Sequence, residues 1–200
     1  FDQADITGLE AYRVAQNQRF AAQGIKFSLV PFVLKALAQC LRDFPSFNAS
    51  LSPDGESLIL KEYVHIGVAV DTPKGLLVPV LRDVDEKSVT KITQELQEKA
   101  MRAREGKLPL SEMQGGCFSL SSLGGIGGTA FTPIVNPPEV AILGLSKASM
   151  QPVWDGTAFV PRLMLPLSLS YDHRVIDGAE AARFSQRLVA YLQDLRDVLM

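Results

Sequence analysis

The stretch LSLSYDHRVIDGAEAARF (residues 167–184) holds one of only two histidines in the chain. His173 stands inside DHRVIDG, where an apparent strand gives way to an apparent helix. Loops at such joins hold many catalytic groups, because the scaffold fixes them while one side stays open. The residue types allow two readings. In the first, Asp172 and Asp177 cap a turn and His173 is a satisfied polar residue with no chemical role. In the second, His173 is a general base, since imidazoles ordinarily titrate near about 6.5 and can take a proton at neutral pH. The substrate that needs such a base is a thiol, protonated below about pH 8.5 but strongly nucleophilic once ionised. A metal centre does not fit. His65 is the one other imidazole, and a catalytic zinc takes about three protein ligands.

A second candidate is FSLSSLGGIGGTAF (residues 118–131). GGIGG is neither GxGxxG nor a Walker loop with its lysine, so phosphate binding has little support. Ser121 and Ser122 are more informative. A buried strand that ends in hydroxyls beside a glycine turn can present a donor to a developing oxyanion, although two ordinary edge serines read the same way. Ser121 or Ser122 with His173 and Asp177 would also supply the residue types of a hydrolase triad. That rival lacks a G-x-S-x-G elbow, and an Asp four residues from its His is poorly placed to hold the far ring nitrogen. In GVAVDTPKGLLVPV, Asp71 and Lys74 sit at the tip of a strand–turn–strand, either a solvated turn or a ligand-contacting loop.

These residues need elements to hold them. ITGLEAYRVAQNQRFAAQG reads as an amphipathic helix capped by Thr7, with Leu9, Tyr12, Val14 and Phe20 inward and Gly24 as its stop. SLVPFVLKALAQCLRDFP, capped by Ser28, is apolar nearly all round and belongs in a core. SVTKITQELQEKAMRAREGKL reads as a surface helix behind a Ser88 cap. AFVPRLMLPLSLSYD alternates Leu163, Leu165, Leu167, Leu169 and Tyr171 on one face of a strand. GAEAARFSQRLVAYLQDLRDVLM reads as a last helix running to the end of the chain. With no repeat and no internal linker, the expectation is one domain over residues 1–200, an α/β sandwich with a mixed sheet. A hydrophobic share of 46% and a charged share of 21% fit an ordinary globular protein. A net charge of −2 with scattered Lys and Arg gives no footprint for nucleic acid or an anionic membrane, and no apolar run approaches a membrane span. Cys40 and Cys117 are far apart in apolar settings, which suggests two buried reduced thiols. The chain opens on Phe1 with nothing resembling a signal peptide, and is expected to be part of a longer polypeptide.

Taken together, DHRVIDG, NPPEVAILGLSKA, GCFSLSSLGGIGGTAFTPIV, VAVDTPKGLLVPV and the opening FDQADIT resemble the catalytic core of the 2-oxo acid dehydrogenase acyltransferases, in order and over nearly the whole chain. SMQPVWDGTAFVPRLMLPLSLSYDHRVIDGA is similar to the pyruvate-type, acetyl-transferring members. The resemblance implies the chloramphenicol acetyltransferase fold, a two-layer sandwich that assembles as a trimer and then a cage. It implies coenzyme A and lipoamide as substrates, with the lipoyl group on a separate domain, and no metal. It makes His173 the thiol base and Ser121 the oxyanion donor, with Ser122 as the fallback. Asp177 orders the site, with Arg13 as its suggested partner, and Asp71 lies in a loop near coenzyme A.

Further implications concern assembly. The active-site channel is expected between subunits, with His173 of one chain facing Ser121 of the next. Val198, Leu199 and Met200 are expected to dock onto a neighbouring trimer. The partners implied are the pyruvate dehydrogenase and dihydrolipoamide dehydrogenase components, in a bacterial cytoplasm or a mitochondrial matrix. Succinyl, branched-chain or chloramphenicol-type transfer, a serine hydrolase, and an inactive scaffold remain as alternatives.

Overall fold

Leu167 to Tyr171 and Ala141 to Leu145 form the apolar centre around which the chain is laid out. The computed structural model describes residues 1–196, so Val198, Leu199 and Met200 lie outside the described residues. In chain order the elements are β1 (Asp2–Asp5), α1 (Thr7–Phe20), α2 (Val30–Asp43), β2 (Ala49–Leu51), β3 (Leu58–Leu60), β4 (Ile66–Val68), β5 (Val70–Thr72), β6 (Gly75–Leu77) and β7 (Val80–Leu81). Then come α3 (Val89–Arg104), β8 (Phe118–Ser122), β9 (Ala141–Leu145), β10 (Ser149–Trp154), β11 (Phe159–Tyr171) and α4 (Gly178–Gln193).

The main sheet runs β1-β11-β9-β8-β4-β7, with β10 paired to the first half of β11. β4, β8 and β9 are mutually parallel, and β1, β7, β10 and β11 run antiparallel to their neighbours. This is the expected mixed sheet. β2 with β3, and β5 with β6, form two small separate ribbons. β9 is buried on both faces, as a central parallel strand should be.

Helices cover one face of the sheet. α2 buries Phe32, Leu34, Leu37 and Leu41 together, which explains its nearly all-apolar sequence. Its core neighbours are Phe118, Leu120, Leu143, Leu145, Leu165 and Leu167 from the sheet, and Phe184, Leu188 and Leu192 from α4. Phe47 and Phe184 stack with centroids 4.0 Å apart. Tyr191 donates to Asp43 at 2.6 Å, tying the ends of α2 and α4 together. Ser88 caps α3 as expected, accepting from Lys91 N–H at 3.2 Å.

Four expectations need correction. Thr7 is not the cap of α1 but its first residue. Asp5 accepts its N–H and hydroxyl at 3.0 and 2.6 Å, and the same hydroxyl accepts from Leu163 N–H. Tyr12 and Val14 are exposed, so α1 buries chiefly Leu9. Ser28 does not cap α2, whose first turn relies instead on Pro31. α4 stops at Gln193 and does not run on unbroken, because Asp194 is extended and its carboxylate takes the Arg196 N–H at 3.1 Å.

Candidate active site

β11 delivers His173. Its inward leucines anchor it to the helix layer, and it ends at Tyr171. Asp172 then donates its N–H to Val140 O at 2.8 Å, and the chain folds back so that Val175 and Ile176 donate to Asp172 O at 3.0 and 3.1 Å. The Asp172 carboxylate accepts from the Arg174 guanidinium at 2.9 and 2.6 Å, which holds its pKa below the usual carboxylate range. Ile176 is fully buried and pins the turn from below. Asp177 Oδ1 accepts from Glu180 N–H at 2.7 Å and caps α4. Both aspartates therefore do the structural work of the first reading. They leave the His173 ring exposed at the tip, 5.8 Å from the Tyr171 ring.

Ser121 sits on β8, where Phe118 and Leu120 face the helices and Ser119 and Ser121 face the other way. Ser121 lies opposite Gly144 of β9, and Ser122 opposite Leu145. Gly144 has no room for a side chain: a Cβ there would meet the Phe131 ring at 2.6 Å. The tip of the ring thus presses on the strand beside Ser121.

The directions of the strands decide what one chain can do. Tyr171 pairs with Ala141, at the start of β9, while Ser121 pairs with Gly144 near its end. Those three residues correspond to roughly 10 Å along the sheet. His173 lies two residues further the opposite way, with β9 standing between. His173 and Ser121 therefore sit at opposite ends of one sheet, and no hydrogen bond joins them among the described residues. The hairpin β5–β6 leaves from the Ser121 end, where Ala69 N–H donates to Leu120 O at 2.9 Å, and it carries Asp71 exposed. The candidate residues thus fall into two candidate half-sites, Ser121, Ser122 and Asp71 at one end of the sheet and His173 and Asp177 at the other.

Arg13 does not partner Asp177 within the chain. It forks onto Glu10 at 2.8 and 2.6 Å and donates to Phe27 O at 2.8 Å, which raises its pKa and lowers that of Glu10. A triad of Ser121, His173 and Asp177 is likewise not assembled. His65 is buried, its Nδ1 accepting from Asp83 N–H at 3.0 Å. Both cysteines are free and buried, and burial pushes the Cys117 thiol up to about 11, so neither is a ready nucleophile. The described residues contain no group of three His, Cys, Asp or Glu that could hold a metal.

One residue escaped the spacing arguments. Glu139 lines a hollow of about 390 Å³ beside the His173 turn, together with Leu51, Pro138, Tyr171, Asp172 and Arg174. The signal for it in NPPEVAILGL is a charge placed directly before a fully buried strand.

The family model for 2-oxoacid dehydrogenases acyltransferase (catalytic domain) matches residues 1–200. The chain is 62% identical, over 200 residues, to the dihydrolipoyllysine-residue acetyltransferase component of the pyruvate dehydrogenase complex of Pseudomonas aeruginosa. That match takes in all of this chain and 37% of the relative, so the chain spans roughly a third of its length. A solved structure of the Azotobacter vinelandii dihydrolipoamide acetyltransferase has a TM-score of 0.97 at 62% identity, covering 100% of this chain and 82% of that one. The cubic core of the pyruvate dehydrogenase multienzyme complex gives 0.97 at 63% identity, with the same coverage. A chloramphenicol acetyltransferase, at 18% identity, a TM-score of 0.64 and coverage of 96% and 86%, shares the fold alone. Motif order, architecture and identity agree from one end to the other: this chain belongs to the 2-oxoacid dehydrogenase acyltransferases and represents their catalytic domain.

Proposed function

We propose that this domain transfers an acetyl group between coenzyme A and a dihydrolipoyl thiol, at a site built from the two half-sites of neighbouring copies. The observation that carries the reading is one of spacing. In the Azotobacter vinelandii enzyme, a serine, a histidine 52 residues later and an asparagine four residues beyond have been investigated for their role in the catalytic mechanism. Ser121, His173 and Asp177 stand at the same intervals.

The chemistry follows from the residues. His173 takes the proton from the attacking thiol, and the thiolate adds to the thioester carbonyl. Ser121 donates a hydrogen bond to the oxyanion of the tetrahedral intermediate. As the intermediate collapses, the C–S bond to the departing thiol breaks, and His173 returns the proton to that sulfur. No acyl-enzyme forms. Asp177 keeps the base in place by capping the helix that follows it.

The exposed apolar side chains support contact between copies. Leu58, Ile59 and Leu60 are exposed in succession on β3, and Trp154 and Phe159 are exposed and packed together with ring centroids 5.3 Å apart. A largely apolar hollow of about 500 Å³, lined by Leu9, Tyr12, Leu192 and Leu195, suits an apolar segment of another trimer. In this reading the trimers build a larger core that works with pyruvate dehydrogenase and dihydrolipoamide dehydrogenase components in a bacterial cytoplasm. No helix among the described residues is long and apolar enough to cross a membrane.

The test is acyl transfer to dihydrolipoamide from acetyl-CoA, beside succinyl-CoA and isobutyryl-CoA. Preference for acetyl supports the proposal. Preference for either larger group assigns the domain to another branch of the family, and transfer to none of them overturns the reading.

A further inference from the structure

Glu139 is the carboxylate most deeply buried beside the His173 turn, with 7% of its surface exposed. Its Oε1 lies 2.8 Å from where a Cβ on Gly116 would stand, so the glycine makes room for it. Its Oε2 accepts no hydrogen bond from any described residue. Ser119 faces it, yet the Ser119 hydroxyl completes no hydrogen bond of its own. The charges around it do not compensate. Lys61 acts at longer range, the Cys117 thiol is a weaker acid still, and Asp172 and Arg174 across the hollow are paired with each other. A lone buried carboxylate is costly, and the group responds by holding its proton. Burial accordingly raises its pKa to about 7, against smaller opposite pulls from Ser119 and Lys61.

The position of Glu139 gives that proton a consequence. Val140, the next residue, supplies the carbonyl that receives Asp172 N–H at 2.8 Å, and Ala141 pairs with Tyr171. The backbone holding the base is thus attached one and two residues from a buried carboxyl whose Oε2 has no partner. We propose that Glu139 is a positioning residue whose buried carboxyl seats the start of β9 and, through Val140 and Asp172, fixes the turn that presents His173. Once ionised, the carboxylate needs water or Lys61, and the strand start moves with it. The inference rests on the proposed role of His173.

The test compares Glu139→Gln with wild type in the full-length assembled enzyme, with acetyl-CoA and dihydrolipoamide as substrates. The ratio of the two kcat values at each pH cancels ionisation of the thiol itself. It should stay near one at about pH 6 and rise roughly tenfold by about pH 8.5, the order of loss that follows a small misplacement of a catalytic group. KM should change little. A ratio that stays flat across that range overturns the proposal. If the variant does not assemble, hydrogen exchange in wild type decides: protection of the Asp172 amide, corrected for intrinsic exchange, should fall over the same interval, and constant protection overturns the idea. His173→Ala separates the two claims. Loss of turnover there with a flat Glu139→Gln ratio rejects the positioning role alone, whereas full turnover in His173→Ala rejects the reading beneath it.

Discussion

His173 and Ser121 contribute differently, and the difference is measurable. His173→Ala should lose about 10²–10⁴-fold in kcat, the usual worth of a general base. The fold should survive, because the imidazole is exposed and makes no hydrogen bond among the described residues. Ser121→Ala should lose about 10²–10³-fold with little change in KM, since its bond strengthens with the charge that develops in the transition state. Mass spectrometry after mixing with acetyl-CoA checks the division of roles, because an acetyl group on Ser121 would mean a nucleophile instead of a donor. Glu139 makes a thermodynamic prediction as well. Its pKa is raised in the fold, so the folded chain binds more protons than the unfolded one between the ordinary carboxyl value and about 7. The stability from this group is complete at acid pH and lost as pH rises through about 7. The Tm of Glu139→Gln relative to wild type should therefore climb over that interval, and a constant difference would contradict the buried, unpaired carboxyl.

α4 begins at Asp177, and the helix start sets how the His173 turn is closed. Asp177→Ala should cost about 1 kcal/mol through the lost cap, whereas Asp177→Asn, which caps equally well, should keep nearly all the stability. Denaturant unfolding of both variants checks this, and equal losses would show that the cap is not what Asp177 supplies. The same elements show what the amino-acid order makes legible. β11 is readable because its leucines alternate, and α3 because an apolar stripe follows a Ser88 cap that is really used. α1 misleads, because Thr7 has a cap's chemistry but is the first helical residue, its N–H and hydroxyl both donated to Asp5. β1, β2, β3 and β10 carry no distinguishing period. DQAD is a strand only because it lies along the free edge of β11. The motifs around His173 and Ser121 are visible locally. Their placement at opposite ends of the sheet is not, because parallel or antiparallel pairing leaves no mark on either motif.

For the whole molecule, the proposed sharing of two half-sites implies that damage in one subunit should be complemented by another. Subunits carrying His173→Ala and subunits carrying Ser121→Ala, each nearly inactive alone, should recover activity when unfolded together and reassembled. With random mixing in equal amounts, a site gets an intact base from one chain and an intact donor from the next roughly a quarter of the time. About a quarter of wild-type turnover is expected, and recovery no greater than the sum of the parents would place both residues in one chain's site. The antiparallel run of β11 against β9 has a further effect on how the enzyme comes into being. A newly made subunit, however well folded, carries the proposed base and the proposed donor back to back, where they should be unable to meet across one thioester. On the proposed mechanism it should leave the acetyl-CoA around it untouched until it finds neighbours. Turnover should then begin as a steep function of chain concentration, and on dilution it should disappear before the fold does.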